Sequence, residues 1–162
     1  MKRELTVSWS DPATLAHAGR TMKGIDFLRA IRDGALPQPP MAQLLGFKLV
    51  EVEPGHAVFE ALPGEQHYNP IGVVHGGLAM TLLDSAMGCA VQSYMPAGSG
   101  YTTLEAKTNL VRAVTDRSGP LRAIGKLLHA GRRVATAEAR LVDAAGKLYA
   151  HATSTCMVLN DA

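Results

Sequence analysis

Between Gln66 and Leu104 the chain carries one charged side chain, Asp84. At the chain's own frequency of 30 charges in 162 residues, a stretch of that length would hold roughly seven, against a typical charged fraction of about a quarter. The stretch is interior material that the rest of the chain must cover. His67, Asn69, Pro70, Pro96 and several glycines and threonines interrupt it before a membrane-spanning run accumulates. In its middle lies the longest uninterrupted helical candidate, Gly76 to about Ser93, a rod of about 27 Å. At helical spacing, Asp84, Gly77, Gly88, Thr81, Gln92 and Ser85 share an arc of roughly 100°, and every other direction is apolar. Such a helix is expected to be buried on most sides, with a groove along its strip of glycine and small polar residues. A buried unpaired charge costs on the order of several kcal/mol. Asp84 is therefore expected to be hydrogen-bonded, protonated or in a wet cleft, the last being what a catalytic base or nucleophile needs. The structural alternative is a carboxylate that ties down a loop or a second subunit.

The residues around this helix read as strands. Phe47 to Glu53 and His56 to Leu62, joined at Pro54-Gly55, form a hairpin pattern. Pro63 to Val74 is a loop, and after the helix come Tyr101 to Val114, Leu121 to Ala130, Arg133 to Val142 and Lys147 to Leu159, each pair separated by turn chemistry. Two strands, one long helix and four strands predict an α+β domain with the helix against one face of an antiparallel sheet. Ala135, Ala137, Ala139 and Leu141 make one strand face small and apolar, which lets a helix lie close. Residues 1–40 read as a helical extension, with a helix start at Asp11-Pro12 and helical spacing of Ile25, Phe27, Leu28 and Ile31 before Gly34 and Pro37; residues 41–162 form the domain itself.

Composition narrows the function. A net charge of +2 is too mild for nucleic acid as the main partner, and no nucleic-acid motif is present. Residues 105–133 nevertheless hold seven basic and two acidic side chains, a balance that suits a ligand carrying several phosphates or, equally, a set of solvated strand faces. Cys89 and Cys156 have neither a C-x-x-C pattern nor histidines at metal-ligand spacing, so no metal, cofactor or disulfide framework is expected. The amino terminus lacks a secretory pattern, and a cytoplasmic protein with no membrane association is expected.

The segment leading into the helix, Asn69-Pro70-Ile71-Gly72-Val73-Val74-His75-Gly76-Gly77, puts two glycines at a helix start. There the backbone N–H groups have no intrahelical acceptor and the dipole is positive, a combination that can hold a developing oxyanion. The run HYNPIGVVHGGLAMTLLDSAMGCAV, from His67 to Val91, followed by YTTLEAKTNLVR, from Tyr101 to Arg112, resembles the hotdog-fold acyl-CoA thioesterases of the phenylacetate-pathway (PaaI) type. The resemblance spans about residues 41–159 and includes N-P-x-G-x-x-H-G-G with an acidic residue nine positions after the histidine. It implies a homodimer, often paired into a tetramer, with active sites between the helix start of one subunit and the helix carboxylate of the other.

Carried over by position, the resemblance implies that Asp84 attacks the thioester directly or through water. Gly76 N–H and the Asn69 side chain would polarise the carbonyl, and His75 would position the carbonyl or the leaving thiolate. Thr102 or Thr103 would orient water. Gly77, Thr81 and Gly88 would border the substrate groove, and Arg112, Arg132 and Arg133 would meet the phosphates of coenzyme A, which is part of the substrate rather than a cofactor. A thioester is electrophilic enough for one carboxylate and an oxyanion site to suffice without a triad or a metal. No G-x-S-x-G elbow occurs, and Gly119 to Lys126 misses the P-loop spacing. Two other readings stand beside hydrolysis of aryl- or short- to medium-chain acyl-CoA. One is a hydratase or dehydratase of the same fold using His67 or His75 with Asp84; the other is a non-catalytic acyl-CoA-binding protein.

Overall fold

The computed structural model describes residues 1–160. The last two positions of the expected domain, 161 and 162, lie outside the described residues. The carboxy-terminal body is a six-stranded antiparallel sheet of β1 (Phe47–Glu53), β2 (His56–Ala61), β3 (Ser99–Leu110), β4 (Leu121–Ala130), β5 (Val134–Asp143) and β6 (Leu148–Asn160). Its spatial order is β1-β2-β4-β5-β6-β3. The long helix, α4 (Gly76–Gln92), crosses one face and packs mainly on β4, β5 and β2. This is the α+β arrangement expected from the element order and the hotdog fold that the resemblance implies, with one helix wrapped by a sheet.

Small side chains set the closeness of that packing. Ala135, Ala137, Ala139 and Leu141 are all buried beneath the helix. On β4, a side chain at Gly125 would collide with the Ala86 carbonyl of α4, so this glycine marks the point of closest approach. Leu82, Leu83, Ala86, Met87, Ala90 and Val91 of α4 are almost entirely enclosed, whereas Met80 and Asp84 remain exposed on the opposite side. The apolar arc falls largely where the helical spacing put it, but Met80 lies exposed outside the expected polar strip, and Gly88 and Gln92 at that strip's far end are buried. At the far end of α4, Ser93 Oγ donates to the Ala90 carbonyl at 2.7 Å and accepts from Gly55 N–H at 2.8 Å, joining the helix to the β1–β2 turn.

The amino-terminal residues form α1 (Pro12–Thr21), capped by Asp11, and α2 (Gly24–Arg32). A short α3 (Pro40–Leu45), with no counterpart in the sequence reading, precedes β1 and ends at Gly46 in the left-handed region, φ +66°. α2 rests on β1 and on the carboxy-terminal end of α4. The contact is tight, because a Cβ at Gly24 would overlap the Gln92 carbonyl. β3 also departs from expectation, ending at Leu110 instead of Val114. Ladder pairing with β6 ends at Leu110–Ala150, two residues short of the start of β6 at Leu148, because the Val111 and Arg112 N–H groups both turn to the Tyr149 carbonyl, at 2.9 and 3.1 Å. Val114 then accepts from Val74 N–H at 2.9 Å, which ties the end of this segment to the loop before α4.

Candidate active site

The loop before α4 is shaped by Asn69. Its Oδ1 accepts from the N–H groups of Ile71 and Val73, at 3.1 and 3.3 Å, while its backbone exchanges hydrogen bonds with Val73 and Gly72. With the oxygen consumed inside the turn, the Nδ2 amine is the part of the side chain left to donate to a ligand. His75 is the N-cap: its own N–H donates to the His67 carbonyl at 2.8 Å, and its Nδ1 accepts from Gly77 N–H at 2.9 Å. A neutral ring held this way carries its proton on Nε2. Gly76, the first helical residue, has an N–H with no acceptor in its own helix. Asn69 Nδ2, His75 Nε2 and Gly76 N–H are therefore three donors on one short segment.

These residues line a cavity of about 290 Å³ that reaches under the first turns of α4. Leu110 and Tyr149 supply apolar wall, and Arg112 stands at its border. Arg112 Nε donates to the Leu148 carbonyl at 3.3 Å, and its guanidinium lies 5.9 Å from the centre of the Tyr149 ring. Neither Leu110 nor Tyr149 was singled out by sequence reasoning. Both are ordinary strand residues, and only the folded placement of the β3 and β6 ends beside the helix start brings them to the cavity.

Asp84 occupies the exposed strip of α4, where Thr103 Oγ1 donates to its Oδ1 at 3.1 Å. Of the two hydroxyl candidates, Thr103 is the one that meets the carboxylate; Thr102, its neighbour on the strand, faces the other way. Thr81 Oγ1 donates to the Gly77 carbonyl at 2.9 Å, so its hydroxyl proton is used within the helix. The expected groove is not open at Gly88, because the Tyr101 phenol lies across it where a side chain would otherwise project. Tyr101 and Thr103 are two residues apart on β3 and so share a face, a relation readable from the strand period once α4 is known to lie beside it. Burial, and then the neighbouring Cys89 and Asp84, hold the Tyr101 hydroxyl well above its ordinary pKa. Burial, followed by Asp84, pushes the Cys89 thiol up to about 12, so it is no nucleophile near neutral pH.

Within one chain the carboxylate and the helix-start donors are not together. Eight residues separate Gly76 from Asp84, a rise of roughly 12 Å along the helix. The basic candidates are also divided. Arg112 follows the end of β3, whereas Arg132 and Arg133 sit in the β4–β5 turn, whose Arg133 carbonyl accepts from Val158 N–H beside the start of β3. Along β3, from Tyr101 to Leu110, that is a separation of roughly 30 Å. His67, the alternative proton-transfer residue, uses Nδ1 to accept from Gly64 N–H at 3.1 Å and lies outside the cavity lining. Among the described residues, no group of three or more His, Cys, Asp or Glu side chains could hold a metal ion.

The sequence profile of the thioesterase superfamily matches residues 71–150, from the loop before α4 into β6. A protein of Saccharolobus solfataricus described as a candidate esterase is 31% identical over 134 residues, covering 83% of this chain and 94% of that one. The chain belongs to the thioesterase superfamily. As a PaaI-type member it is similar to a solved candidate thioesterase of Ralstonia eutropha JMP134 related to phenylacetic acid degradation, at 29% identity and a TM-score of 0.72, covering 80% of this chain and 98% of that one. A 1,4-dihydroxy-2-naphthoyl-CoA hydrolase of Listeria monocytogenes is 24% identical over 108 residues, 67% of this chain and 86% of that protein. Membership makes this thioesterase a thioester hydrolase. Its matched segment carries His75, Gly76, Asp84, Thr103 and Arg112, and Asn69 lies two positions before it. No helix among the described residues is long and apolar enough to cross a membrane.

Proposed function

We propose that the protein hydrolyses acyl-CoA thioesters, with an aryl or short- to medium-chain acyl group, to the free acid and coenzyme A, and that it does so as a homodimer. The observation that carries this reading is the pairing of Asp84 with Thr103 on an exposed strip, roughly 12 Å along the helix from an open set of N–H donors. A carbonyl bound at the helix start is out of reach of the carboxylate of its own chain. A second chain, turned to face the first, supplies it. The unpaired edge of β3 is twelve residues long with Leu104 exposed, the kind of edge that a second copy covers. Antiparallel pairing of two such edges also brings Arg132 and Arg133 of one chain toward Arg112 of the other, gathering the divided basic residues around the coenzyme A phosphates.

In this arrangement Gly76 N–H and Asn69 Nδ2 of one chain hold the thioester oxygen as it gains charge, and His75 Nε2–H lies beside the departing sulfur. Asp84 of the other chain attacks the carbonyl carbon directly or removes a proton from a water that does, with Thr103 fixing the carboxylate. The C–S bond breaks, and coenzyme A leaves as the thiolate and takes up a proton; in the direct route the acyl group is left on Asp84 as a mixed anhydride, which water hydrolyses to the free acid and the regenerated carboxylate. The test is thiol release from a panel of acyl-CoA esters by the wild type and Asp84→Asn. Because Asp84 is exposed, the variant is expected to melt like the wild type and to lose at least 100-fold in kcat, within the range for a missing base or nucleophile. Equal rates would remove Asp84 from the chemistry. Interconversion of enoyl- and 3-hydroxyacyl-CoA without thiol release would replace hydrolysis with hydration.

A further inference from the structure

The amino-terminal helices lie outside the segment matched by the superfamily profile, yet they build a second cavity on the Asp84 side of α4. It has a volume of about 400 Å³, and its walls are Leu15, Ala16 and Gly19 of α1, Phe27, Leu28 and Ile31 of α2, with Cys89, Gln92 and Tyr101 closing the side toward α4 and β3. The size is that of a small-molecule site, and the lining is almost wholly apolar. Its floor, made by Cys89, Gln92 and Tyr101, lies along the same helix and strand as the proposed catalytic carboxylate. Tyr101 lies on Gly88, one turn from Asp84, and is two residues from Thr103, which binds Asp84. Cys89 and Tyr101 both sense the Asp84 charge. From Asp84 to Gln92 the helix rises roughly 12 Å, the reach of a medium-length acyl chain and far beyond that of an acetyl group.

The groove is also held open by fixed contacts. Gly24 permits α2 to touch the Gln92 carbonyl, Gly24 N–H donates to the Met95 carbonyl at 3.0 Å, and Gly98 N–H donates to the Arg20 carbonyl at 3.1 Å, so both helices are tied to the ends of α4 and β3.

We infer that this groove is the acyl-chain subsite, reached from the carboxylate when the Tyr101 ring that lies across Gly88 turns aside, and that α1 and α2 set the length of acyl chain the enzyme accepts. The inference rests on the proposed acyl-CoA hydrolysis and deepens it. An acyl tail in the groove exchanges water for Leu15, Phe27 and Ile31, worth about fourfold in affinity for each methylene buried.

Two substitutions move the subsite in opposite directions. Ala16 is an exposed helical position, so Ala16→Trp fills the groove without repacking the core; Phe27→Ala widens it. Binding is read by calorimetry with S-butyl- and S-decyl-coenzyme A, thioethers that cannot be hydrolysed, and turnover with the matching thioesters. Ala16→Trp is expected to weaken S-decyl-coenzyme A at least tenfold with S-butyl-coenzyme A unchanged, and Phe27→Ala to shift the best substrate toward longer chains. Unchanged chain-length preference in both variants would overturn the inference. So would a change of assembly mass in Ala16→Trp with the preference intact, which would assign the groove to a subunit contact. Failure of the hydrolysis proposal is separately visible as no thiol release by the wild type from any ester, since the thioether measurement does not depend on turnover.

Discussion

At the scale of single residues, the site uses ordinary side chains whose alternatives have been removed. Asn69 spends its oxygen inside a turn, His75 spends Nδ1 on Gly77, and Thr81 spends its hydroxyl on its own helix. What is left over is three donors at the helix start and one carboxylate with one hydroxyl beside it. Thr103→Val removes a hydrogen bond to a charged acceptor without changing shape. It is expected to lower kcat about tenfold with little change in KM, since such a bond is worth roughly 1.5 kcal/mol; an unaffected kcat would leave Thr103 a structural contact. Much of this arrangement was legible beforehand, because one carboxylate in a charge-poor run and two glycines after a histidine are local features. The choice between Thr102 and Thr103 was not, as it depends on which face of β3 meets α4. Nor was Tyr101 at Gly88, since a glycine strip shows where space exists and not what fills it.

At the scale of elements, the helix and strands follow their periodicities closely because every one of them faces a single core. β1 and β4 coincide with their expected spans, and the remaining strand ends differ by a few residues. The departures have physical causes. β3 leaves its ladder at Leu110, where the Val111 and Arg112 N–H groups both turn to the one Tyr149 carbonyl, and α3 forms from six residues whose signals, proline at the start and a left-handed Gly46 at the end, were present but brief. The packing of α4 on β4 turns on one hydrogen atom at Gly125. Gly125→Ala is expected to push the helix off the sheet and cost about 1–3 kcal/mol, the range for overpacking a core. Urea unfolding measures it directly, and an unchanged midpoint would mean that the helix can retreat from β4 without loss.

At the scale of the whole molecule, buried ionisable groups tie stability to pH. In the unfolded chain Cys89 ionises near its ordinary value of 9.0, and in the folded chain only at about 12; Tyr101 is raised in the same sense. Above pH 9 the unfolded state therefore holds fewer protons than the folded one, and stability declines with pH through that window while being fully present below it. Urea midpoints between pH 8 and pH 11 should fall, and fall less steeply in Cys89→Ala; identical slopes would show that the thiol ionises freely in the fold. Assembly is the property least legible in the sequence read residue by residue, because spacing along α4 reports only how far Gly76 is from Asp84 and not which chain closes the gap. The resemblance supplied that expectation, and the separation within one chain gives it a physical reason. The direct measurement is complementation between two inactive variants, Asp84→Asn and Asn69→Ala, unfolded together and refolded as a mixture. If each site takes its donors from one chain and its carboxylate from the other, a mixed dimer holds one site carrying both substitutions and one carrying neither. About a quarter of wild-type activity should then return, since about half of the dimers are mixed and each has one intact site of two. No recovery above the separate variants, with mixed dimers demonstrated by mass, would place the whole site within one chain and contradict the account.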